Sequence, residues 1–282
     1  LKKSHGFVNA ILQKIKADKI KLKKIDIEFN HFPTWFKRVS ADLTNNQKKI
    51  FLKNFCNEPD LHLVFKSENY LSLFEKDIFK TSNKSGFLIK KCKVTDIPSY
   101  KKGHWWVQDF SSSFPLNNIE ETMINKSNID LCAAPGGKSF QILSSKKNLV
   151  LNDISKYRLE RLNENLKRLK LNAKIMNEDV MDLTEKNKYD FIILDAPCSA
   201  IGTIRKNPEI LFRKNCPRFK DLVNIQKNML NKSAKLLKKN GIILYMVCSF
   251  LKIETVDQIK NFLDINKNYS LFQFSVKDNN FD

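Results

Sequence analysis

Two cysteines directly follow apolar runs that are typical of buried strands. Cys198 lies just after Asp195 in the stretch FIILDAPCSA at 191–200, and Cys248 ends the apolar run of GIILYMVCSF at 241–250. A cysteine thiolate is a strong nucleophile that forms covalent intermediates, although a free cysteine is more often a small buried hydrophobe. The sequence therefore favours thiol chemistry at this pair, and spacing alone does not rank the two residues.

A loop of small residues, LCAAPGGKSFQI at 131–142, follows another apolar run. Its glycines let the backbone approach a ligand closely at the start of a helix. Gly137-Lys138-Ser139 matches the end of a phosphate-binding P-loop, so a nucleotide hydrolase is one alternative. That motif requires glycine where Cys132 stands, and Pro135 stiffens the loop and removes a backbone amide. The sequence therefore disfavours the nucleotide hydrolase.

Acidic residues follow three further apolar runs. Asp153 comes after NLVLN, Asp179 comes after AKIMNE, and Asp195 ends YDFIILD. A carboxylate at the first of these positions fits hydrogen bonding to a ribose hydroxyl pair, and the alternative is that Asp153 or Ser155 caps the next helix. Asp179 is equally consistent with a turn. Together the loop and the acids predict an adenosine-type ligand across one edge of a sheet.

Strand-like runs alternate with helical segments from about residue 103 onwards. Fully apolar strands separated by helices indicate an α/β fold with a mostly parallel sheet, which binds ligands at the carboxyl ends of its strands. The predicted strands are 128–131, 148–153, 173–179, 189–195, 241–247 and 270–276. The clearest helices are 155–170 and 220–239.

A smaller α+β module is predicted upstream, between about residues 30 and 98. One or two helices over 33–56 and a helix over 68–79 accompany strands over 60–66 and 86–94. Before this module, apolar residues from Phe7 to Ile15 recur at helical spacing. We interpret that segment as the end of a helical element whose beginning precedes Leu1.

The composition favours a polyanionic partner. The 282 residues carry a net charge of +20, which suggests nucleic acid, although the excess of 43 Lys over 7 Arg also fits a compositional bias. No apolar run approaches the about 20 residues of a membrane helix, and no secretory pattern is present. The six cysteines form no CxxC pair, which gives no support for a metal site and favours a reduced, cytoplasmic location.

The ordered motifs resemble those of S-adenosylmethionine-dependent RNA cytosine-C5 methyltransferases. The motifs that carry the resemblance are CAAPGGKS, ND at 152–153, NEDV, LDAPCSAIGTIRKNPEI and YMVCSF. Within that family the chain most resembles the bacterial RsmB/Sun type, which modifies small-subunit rRNA. HGFVNAILQKI is similar to the end of that type's helical, NusB-like domain, and HFPTWFKRV and GHWWVQDFSSSFP are similar to its linker module and catalytic entrance.

The resemblance implies three parts and a Rossmann-like methyltransferase fold. Residues 1–25 would end the helical domain and its linker, 26–98 would form the small α+β RNA-binding or linker module, and 99–282 would form the catalytic domain. Val247 and Thr255 replace the threonine and asparagine usual in the family, and the chain stops at NNFD as a terminal family pattern begins. We expect a cytoplasmic monomer that binds RNA, without a metal or a membrane.

The resemblance also implies roles for individual residues. The cofactor loop would surround the methionine part of S-adenosylmethionine and consists of Cys132, Ala133, Ala134, Pro135, Gly136, Gly137 and Lys138. Asp153 would bind the ribose, Asp179 would lie by the adenine, and Asp195 would lie near the cofactor and the target cytosine. Cys248 would be the nucleophile, and Cys198 would assist release of the methylated product.

These roles predict covalent catalysis, because C5 of cytosine is a poor nucleophile until a thiolate adds at C6. The cytosine would leave any helix to enter the pocket. Two alternatives stay open: a ribosome-assembly factor with weak or no catalysis, and a DNA methyltransferase. The paired thiols and Asp195 disfavour the first, and the upstream modules disfavour the second by resemblance alone.

Overall fold

A computed structural model describes the chain over residues 5–18, 27–55, 57–74, 76–90, 92–184, 186–212 and 216–272. The predicted first helix is confirmed as α1, His5–Ala17. Its apolar side chains Phe7, Val8, Ile11, Leu12 and Ile15 are all exposed. No helix in the described ranges combines the length and apolar character needed to cross a bilayer.

The upstream module contains an antiparallel four-stranded sheet and three short helices. The helices are α2 (Thr34–Val39), α3 (Asn45–Phe55) and α4 (Glu68–Ser72). The strands are β1 (His62–Phe65), β2 (Ile78–Ser82), β3 (Ser85–Leu88) and β4 (Trp105–Val107), in the order β2-β3-β1-β4. The predicted α+β character is confirmed.

Two details of this module differ from the predictions. The helix predicted over 68–79 is wrong beyond Ser72, because Ile78 is buried and pairs with Leu88 in the β2–β3 hairpin. The sheet also takes β4 from beyond residue 98, the predicted end of the module, since Trp105 pairs with Phe65 of β1. The division into domains therefore stays a prediction, with a sheet that crosses the proposed boundary.

The second sheet is parallel and has five strands. They are β5 (Asn128–Asp130), β6 (Val150–Asn152), β7 (Lys174–Met176), β8 (Tyr189–Asp195) and β9 (Leu237–Met246), in the order β7-β6-β5-β8-β9. Five predicted strands are thus confirmed. Of the sixth, 270–276, residues 270–272 are not in a strand, and the remainder lies outside the described residues.

Five helices accompany this sheet: α5 (Phe110–Asn118), α6 (Gly137–Ser144), α7 (Lys156–Leu169), α8 (Phe219–Leu236) and α9 (Val256–Ile265). Among the described residues, short 3-10 helices lie at Phe29–His31, Val94–Asp96, Glu121–Met123, Val180–Asp182, Ile201–Thr203, Pro208–Phe212 and Lys252–Glu254. The helices predicted over 155–170 and 220–239 correspond to α7 and α8, although α8 ends at Leu236 where β9 begins.

Strand β8 explains why the sheet is covered on both faces. Phe191 and Ile193 pack into one apolar cluster with α7, whereas Ile192 and Leu194 pack into a second cluster on the opposite face. Successive strand residues point to opposite faces, so a fully apolar strand requires two cores. Burying each such side chain contributes about 1.5–3 kcal/mol. All five strands run parallel, which brings their carboxyl ends to one edge.

The upstream module is attached to α7 through polar groups. The Arg168 guanidinium donates hydrogen bonds to the carbonyl oxygens of Tyr100, at 3.1 Å, and Trp105, at 3.0 Å. The same guanidinium lies 4.5 Å from the Tyr100 ring centroid. Lys66 Nζ donates to the Leu169 carbonyl at 2.7 Å. These contacts set the module beside the loop that opens α6.

Candidate functional site

The small-residue loop lines a cavity of about 400 Å³ at the carboxyl edge of the parallel sheet. All of Cys132–Lys138 contributes to the lining, together with Asp130, Asp195 and groups of the upstream module such as Trp106 and Gln108. Cavities of about 300–1,000 Å³ with a few polar groups are typical small-molecule sites. The predicted loop therefore borders a space suited to a small ligand.

Gly136 gives this loop its shape. Its φ is +115°, and a Cβ there would lie 2.0 Å from the Phe140 ring and 2.6 Å from Leu162. Only glycine fits such a conformation without strain. Gly136 is followed directly by α6, so the first amides of that helix belong to the cavity wall. The turn thus allows the backbone to face a ligand closely.

Asp130 is a cavity residue that the sequence reasoning missed. It ends β5, is almost fully buried, and accepts hydrogen bonds from Ser139 Oγ at 2.6 Å and from the Cys132 amide at 3.3 Å. Burial raises the pKa of Asp130 to about 7, although the Ser139 hydrogen bond opposes this shift. Its position directly before the glycine-containing loop was the sequence feature that could have identified Asp130 as a cavity residue.

Lys138 and Asp195 form an ion pair inside the cavity. Lys138 Nζ lies 2.7 Å from Asp195 Oδ2, and the lysine side chain is largely buried while that of Asp195 is one-third exposed. Asp195 ends β8, so the strand fixes its backbone and the lysine orients its carboxylate. The other carboxylate oxygen of Asp195, Oδ1, takes no part in this ion pair and is the oxygen that can accept a hydrogen bond from a ligand.

Asp153 and Asp179 lie at the same sheet edge but do not line the cavity. Asp153 is only 1% exposed and accepts from the amides of Ala134, at 3.2 Å, and Ser155, at 2.9 Å. It also pairs with Arg158 Nη2 at 2.8 Å. Asp153 therefore holds the cofactor loop to the start of α7, whose cap is Ser155.

Asp179 is exposed and occupies a turn. Its carboxylate accepts from the Met181 amide at 2.9 Å and caps the 3-10 helix Val180–Asp182. This contact matches the turn interpretation of the sequence. Its predicted place by an adenine ring stays a prediction.

The two cysteines of the opening motif face each other. Cys198 Sγ lies 3.1 Å from Cys248 Sγ, although the residues belong to different strand ends. The hydrogen bond with Cys198 lowers the pKa of Cys248, against the opposing effect of burial. The same hydrogen bond and burial raise the pKa of Cys198. The pair thus favours the thiolate at Cys248, while either sulfur can donate when both are protonated.

The lowered pKa of Cys248 does not come from a helix start. The helix α9 begins only at Val256, and the neighbouring Cys198 thiol is the main cause. Cys132 behaves oppositely: burial, with Asp130 beside it, raises its pKa to about 12. Cys132 is therefore a wall of the cavity and not a nucleophile.

The basic residues after Cys198 hold its loop in place. Lys206 Nζ donates to Asp109 Oδ2 at 2.6 Å, and Arg205 Nε donates to the Asn57 carbonyl at 3.3 Å. Buried apolar residues of this segment, Ile201, Ile204, Ile210 and Leu211, pack against Phe32 and Phe36 of the upstream region. The loop after Cys198 therefore packs against the upstream region, and Leu251, which follows Cys248, belongs to the same apolar cluster.

No group of three or more His, Cys, Asp or Glu side chains is placed to hold a metal ion within the ranges that the structure describes.

Comparison with known proteins decides the family. A family model described as 16S rRNA methyltransferase RsmB/F matches residues 118–281, more than half of the chain. The chain belongs to this RsmB/F family. The match contains the loop, the acids and both cysteines of the site, and it overturns the nucleotide-hydrolase alternative.

Individual relatives carry names consistent with the RsmB/F family. It is 29% identical over 277 residues to ribosomal RNA small subunit methyltransferase B of Vibrio vulnificus, covering 92% of this chain and 65% of the relative. It is 31% identical to the protein of the same name from Photorhabdus laumondii, covering 92% and 64%. The chain thus spans about 65% of the length of these relatives.

A solved structure supports the fold. The crystal structure of NSun6 from Pyrococcus horikoshii with SFG has a TM-score of 0.70 at 16% identity, covering 87% of this chain and 90% of that one. The predicted α/β, Rossmann-like fold is confirmed.

Proposed function

We propose that this chain transfers a methyl group from S-adenosylmethionine to C5 of a cytosine in small-subunit rRNA, through a covalent bond to Cys248. The observation that carries the proposal is the pair of facing thiols, Cys198 and Cys248, at 3.1 Å; neither lines the cavity, but Cys198 follows Asp195 of the cavity wall by three residues. The family description, 16S rRNA methyltransferase RsmB/F, supports methyl transfer to rRNA. A module that only binds RNA has no use for a polarised thiol pair.

The cavity fits the proposed cofactor. The left-handed turn at Gly136, where Phe140 and Leu162 leave no space for a Cβ, lets the loop backbone line the cavity, and Asp130 and Asp195 add carboxyl groups suited to a cationic sulfonium. The NSun6 neighbour was solved with SFG, an analogue of S-adenosylmethionine. S-adenosylmethionine supplies an electrophilic methyl group. The loop Cys132–Lys138 would hold it, and Asp153 would support this loop from behind, close to the ribose.

Cys248 begins the reaction as a thiolate. Its sulfur adds to C6 of the cytosine, and the electron pair of the C5–C6 double bond becomes available at C5. C5 would then attack the methyl carbon, the methyl–sulfonium bond would break, and neutral S-adenosylhomocysteine would leave. After methylation the C5 proton is removed by a base, the C5–C6 double bond reforms, and the C6–sulfur bond breaks to release the Cys248 thiolate. Covalent addition therefore splits one difficult substitution into easier steps.

Asp195 and Cys198 have separate tasks. Asp195 lies on the cavity wall and its carboxylate is oriented by Lys138, so it can hydrogen-bond the N3/N4 edge of the base. The hydrogen bond with Cys248 and burial raise the pKa of Cys198, which favours its protonated form. The Cys198 thiol can donate a hydrogen bond to the leaving Cys248 thiolate and relay a proton in the elimination.

The RNA must present an unpaired cytosine. Enzymes that modify a base act on single-stranded segments or extrude the nucleotide, and loops of folded RNA are the natural target. The net charge of +20 supports binding to phosphates, with an affinity that falls steeply as salt rises.

The test compares cysteine variants in methyl transfer to unmodified small-subunit rRNA. Cys248→Ala should reduce 5-methylcytosine formation by at least about a thousand-fold, because no other group provides the covalent step. S-adenosylmethionine should still bind this variant. Cys92→Ala, at an exposed thiol of the upstream module, is the matched control and should keep full activity. Retained activity in Cys248→Ala would remove the proposed nucleophile.

A further inference from the structure

A buried carboxylate lies directly behind the two thiols. Glu254 ends the 3-10 helix Lys252–Glu254, and its side chain is fully shielded from solvent, with 0% exposure. Transferring an ionised carboxylate from water into a protein costs several kcal/mol unless hydrogen bonds replace its hydration. A charge buried at this position therefore calls for a specific purpose, and nothing in the proposed reaction uses it.

The donors to Glu254 come from the loop that carries Cys198. Oε1 accepts from the Ser199 amide at 2.9 Å, and Oε2 accepts from Ser199 Oγ at 2.5 Å. Ser199 is the residue after Cys198, and Glu254 closes the segment that begins at Cys248. The two oxygens thus join the segment that follows Cys248 to the residue next to Cys198 by a double contact.

Backbone hydrogen bonds join the same two segments where they leave strands β8 and β9. The Ala196 amide donates to the Met246 carbonyl at 2.9 Å, and the Gly202 amide donates to the Cys248 carbonyl at 2.9 Å. A Cβ on Gly202 would lie 3.0 Å from that carbonyl oxygen, so the backbones approach closely. The segments that carry the two thiols are therefore joined both by these backbone contacts and by the Glu254 contact.

Two buried amides fix the carboxylate itself. Gln226 of α8 is 0% exposed and donates from Nε2 to Glu254 Oε1, at 3.0 Å, and to the Pro197 carbonyl, at 2.9 Å. Gln258 of α9 donates to Gln226 Oε1 at 3.1 Å. The Tyr245 hydroxyl donates to the Glu254 carbonyl at 2.9 Å. A fully satisfied buried network of this kind enforces one geometry.

We propose that Glu254 is a positioning residue: it clamps the loop after Cys198 to the segment after Cys248 and thereby holds the two sulfurs in contact. Glu254 does not touch the base or the cofactor cavity. It acts through Ser199, which shares a peptide bond with Cys198. The consequence for catalysis rests on the proposed function, whereas the clamp itself does not.

The test measures thiol proximity first, in the purified chain without RNA. Diamide removes two hydrogens from a thiol pair, forming a disulfide while its N=N bond is reduced to a hydrazine, and the Cys198–Cys248 peptide is quantified by mass spectrometry. Glu254→Ala should slow this reaction by about ten-fold or more, because unclamped loops bring the sulfurs together less often. Glu254→Gln should largely restore the rate, since Ser199 Oγ can accept from the new amide.

A control, a kinetic measurement and a second variant complete the test. Glu160→Ala, which removes an exposed carboxylate on α7, should leave the diamide rate unchanged. Glu254→Ala should also lower kcat for methyl transfer by about ten-fold or more without changing the KM for S-adenosylmethionine. If Glu254→Ala does not fold, Ser199→Ala, which removes one hydroxyl, decides the question in the same way. Diamide rates equal to those of wild type in a folded variant would overturn the clamp.

The two proposals fail separately. If the wild-type chain forms the disulfide rapidly and Glu254→Ala slows it, the clamp is supported even where no 5-methylcytosine is made, and the proposed function alone is refuted.

Discussion

Asp130 allows a quantitative test of the site's electrostatics. Its pKa is about 7 in the folded protein, because burial disfavours the carboxylate, and about 3.9 in an unfolded chain. A raised acid pKa costs nothing below pH 4 and destabilises the fold progressively as pH rises towards 7 and beyond. At about 1.4 kcal/mol per pKa unit, the full effect is about 4 kcal/mol, of which about 2–3 kcal/mol develops between pH 5 and pH 8.

The substitution Asp130→Asn isolates this effect. Asparagine mimics the protonated acid in shape, and it can still accept a hydrogen bond from Ser139 or from the Cys132 amide. The free energy of unfolding, measured by urea titration at pH 5 and pH 8, should lose about 2–3 kcal/mol of pH dependence relative to wild type. The pH dependence of the variant must be subtracted from that of wild type, because other groups also titrate. Burial lowers the pKa of His62, for example, which destabilises the fold of both proteins at low pH. Parallel pH profiles for the two proteins would refute the raised pKa of Asp130.

Two further predictions concern the loop and the thiols. Gly136→Ala should lose about 1–3 kcal/mol from backbone strain and a similar amount from overpacking against Phe140, with weaker S-adenosylmethionine binding by calorimetry. Gly6→Ala, at a site with open space, is the control, and its free energy of unfolding should stay within about 1 kcal/mol of wild type. Equal losses of stability in the two variants would contradict the tight turn at Gly136. Iodoacetamide at pH 8 should alkylate Cys248 first and leave Cys132 unmodified in mass spectra, because burial raises the pKa of Cys132 to about 12. Alkylation of Cys132 as fast as that of exposed Cys92 would contradict this burial.

The parallel sheet was predictable because its strands are apolar on both faces. A run such as FIIL in β8 has no polar face to turn towards water, so helices must cover both sides. The upstream sheet was harder to predict. Ile78 begins a strand with an exposed neighbour, Phe79, and short mixed segments of this kind carry no decisive period. The three residues of β4 are too few for any pattern, and only pairing with β1 defines them.

The candidate site shows a similar division. Two contacts could be predicted, that of the loop with Asp195 and that of Cys198 with Cys248. Residues that follow neighbouring parallel strands lie at the same edge of the sheet. The functions of Asp130 and Glu254 could not be predicted, because a buried acid is defined by tertiary donors such as Ser139 and Ser199. Sequence reasoning also could not foresee that Asp153 is enclosed by backbone amides.

The division of labour between the thiols is tested most directly by trapping the covalent intermediate. Cys198→Ala, incubated with S-adenosylmethionine and unmodified small-subunit rRNA, should accumulate an RNA–protein adduct that survives denaturing electrophoresis. Its crosslinked peptide should contain Cys248, and Cys198→Ala combined with Cys248→Ala should form none. An adduct that forms in Cys248→Ala through Cys198 would contradict the assignment and reverse the two roles.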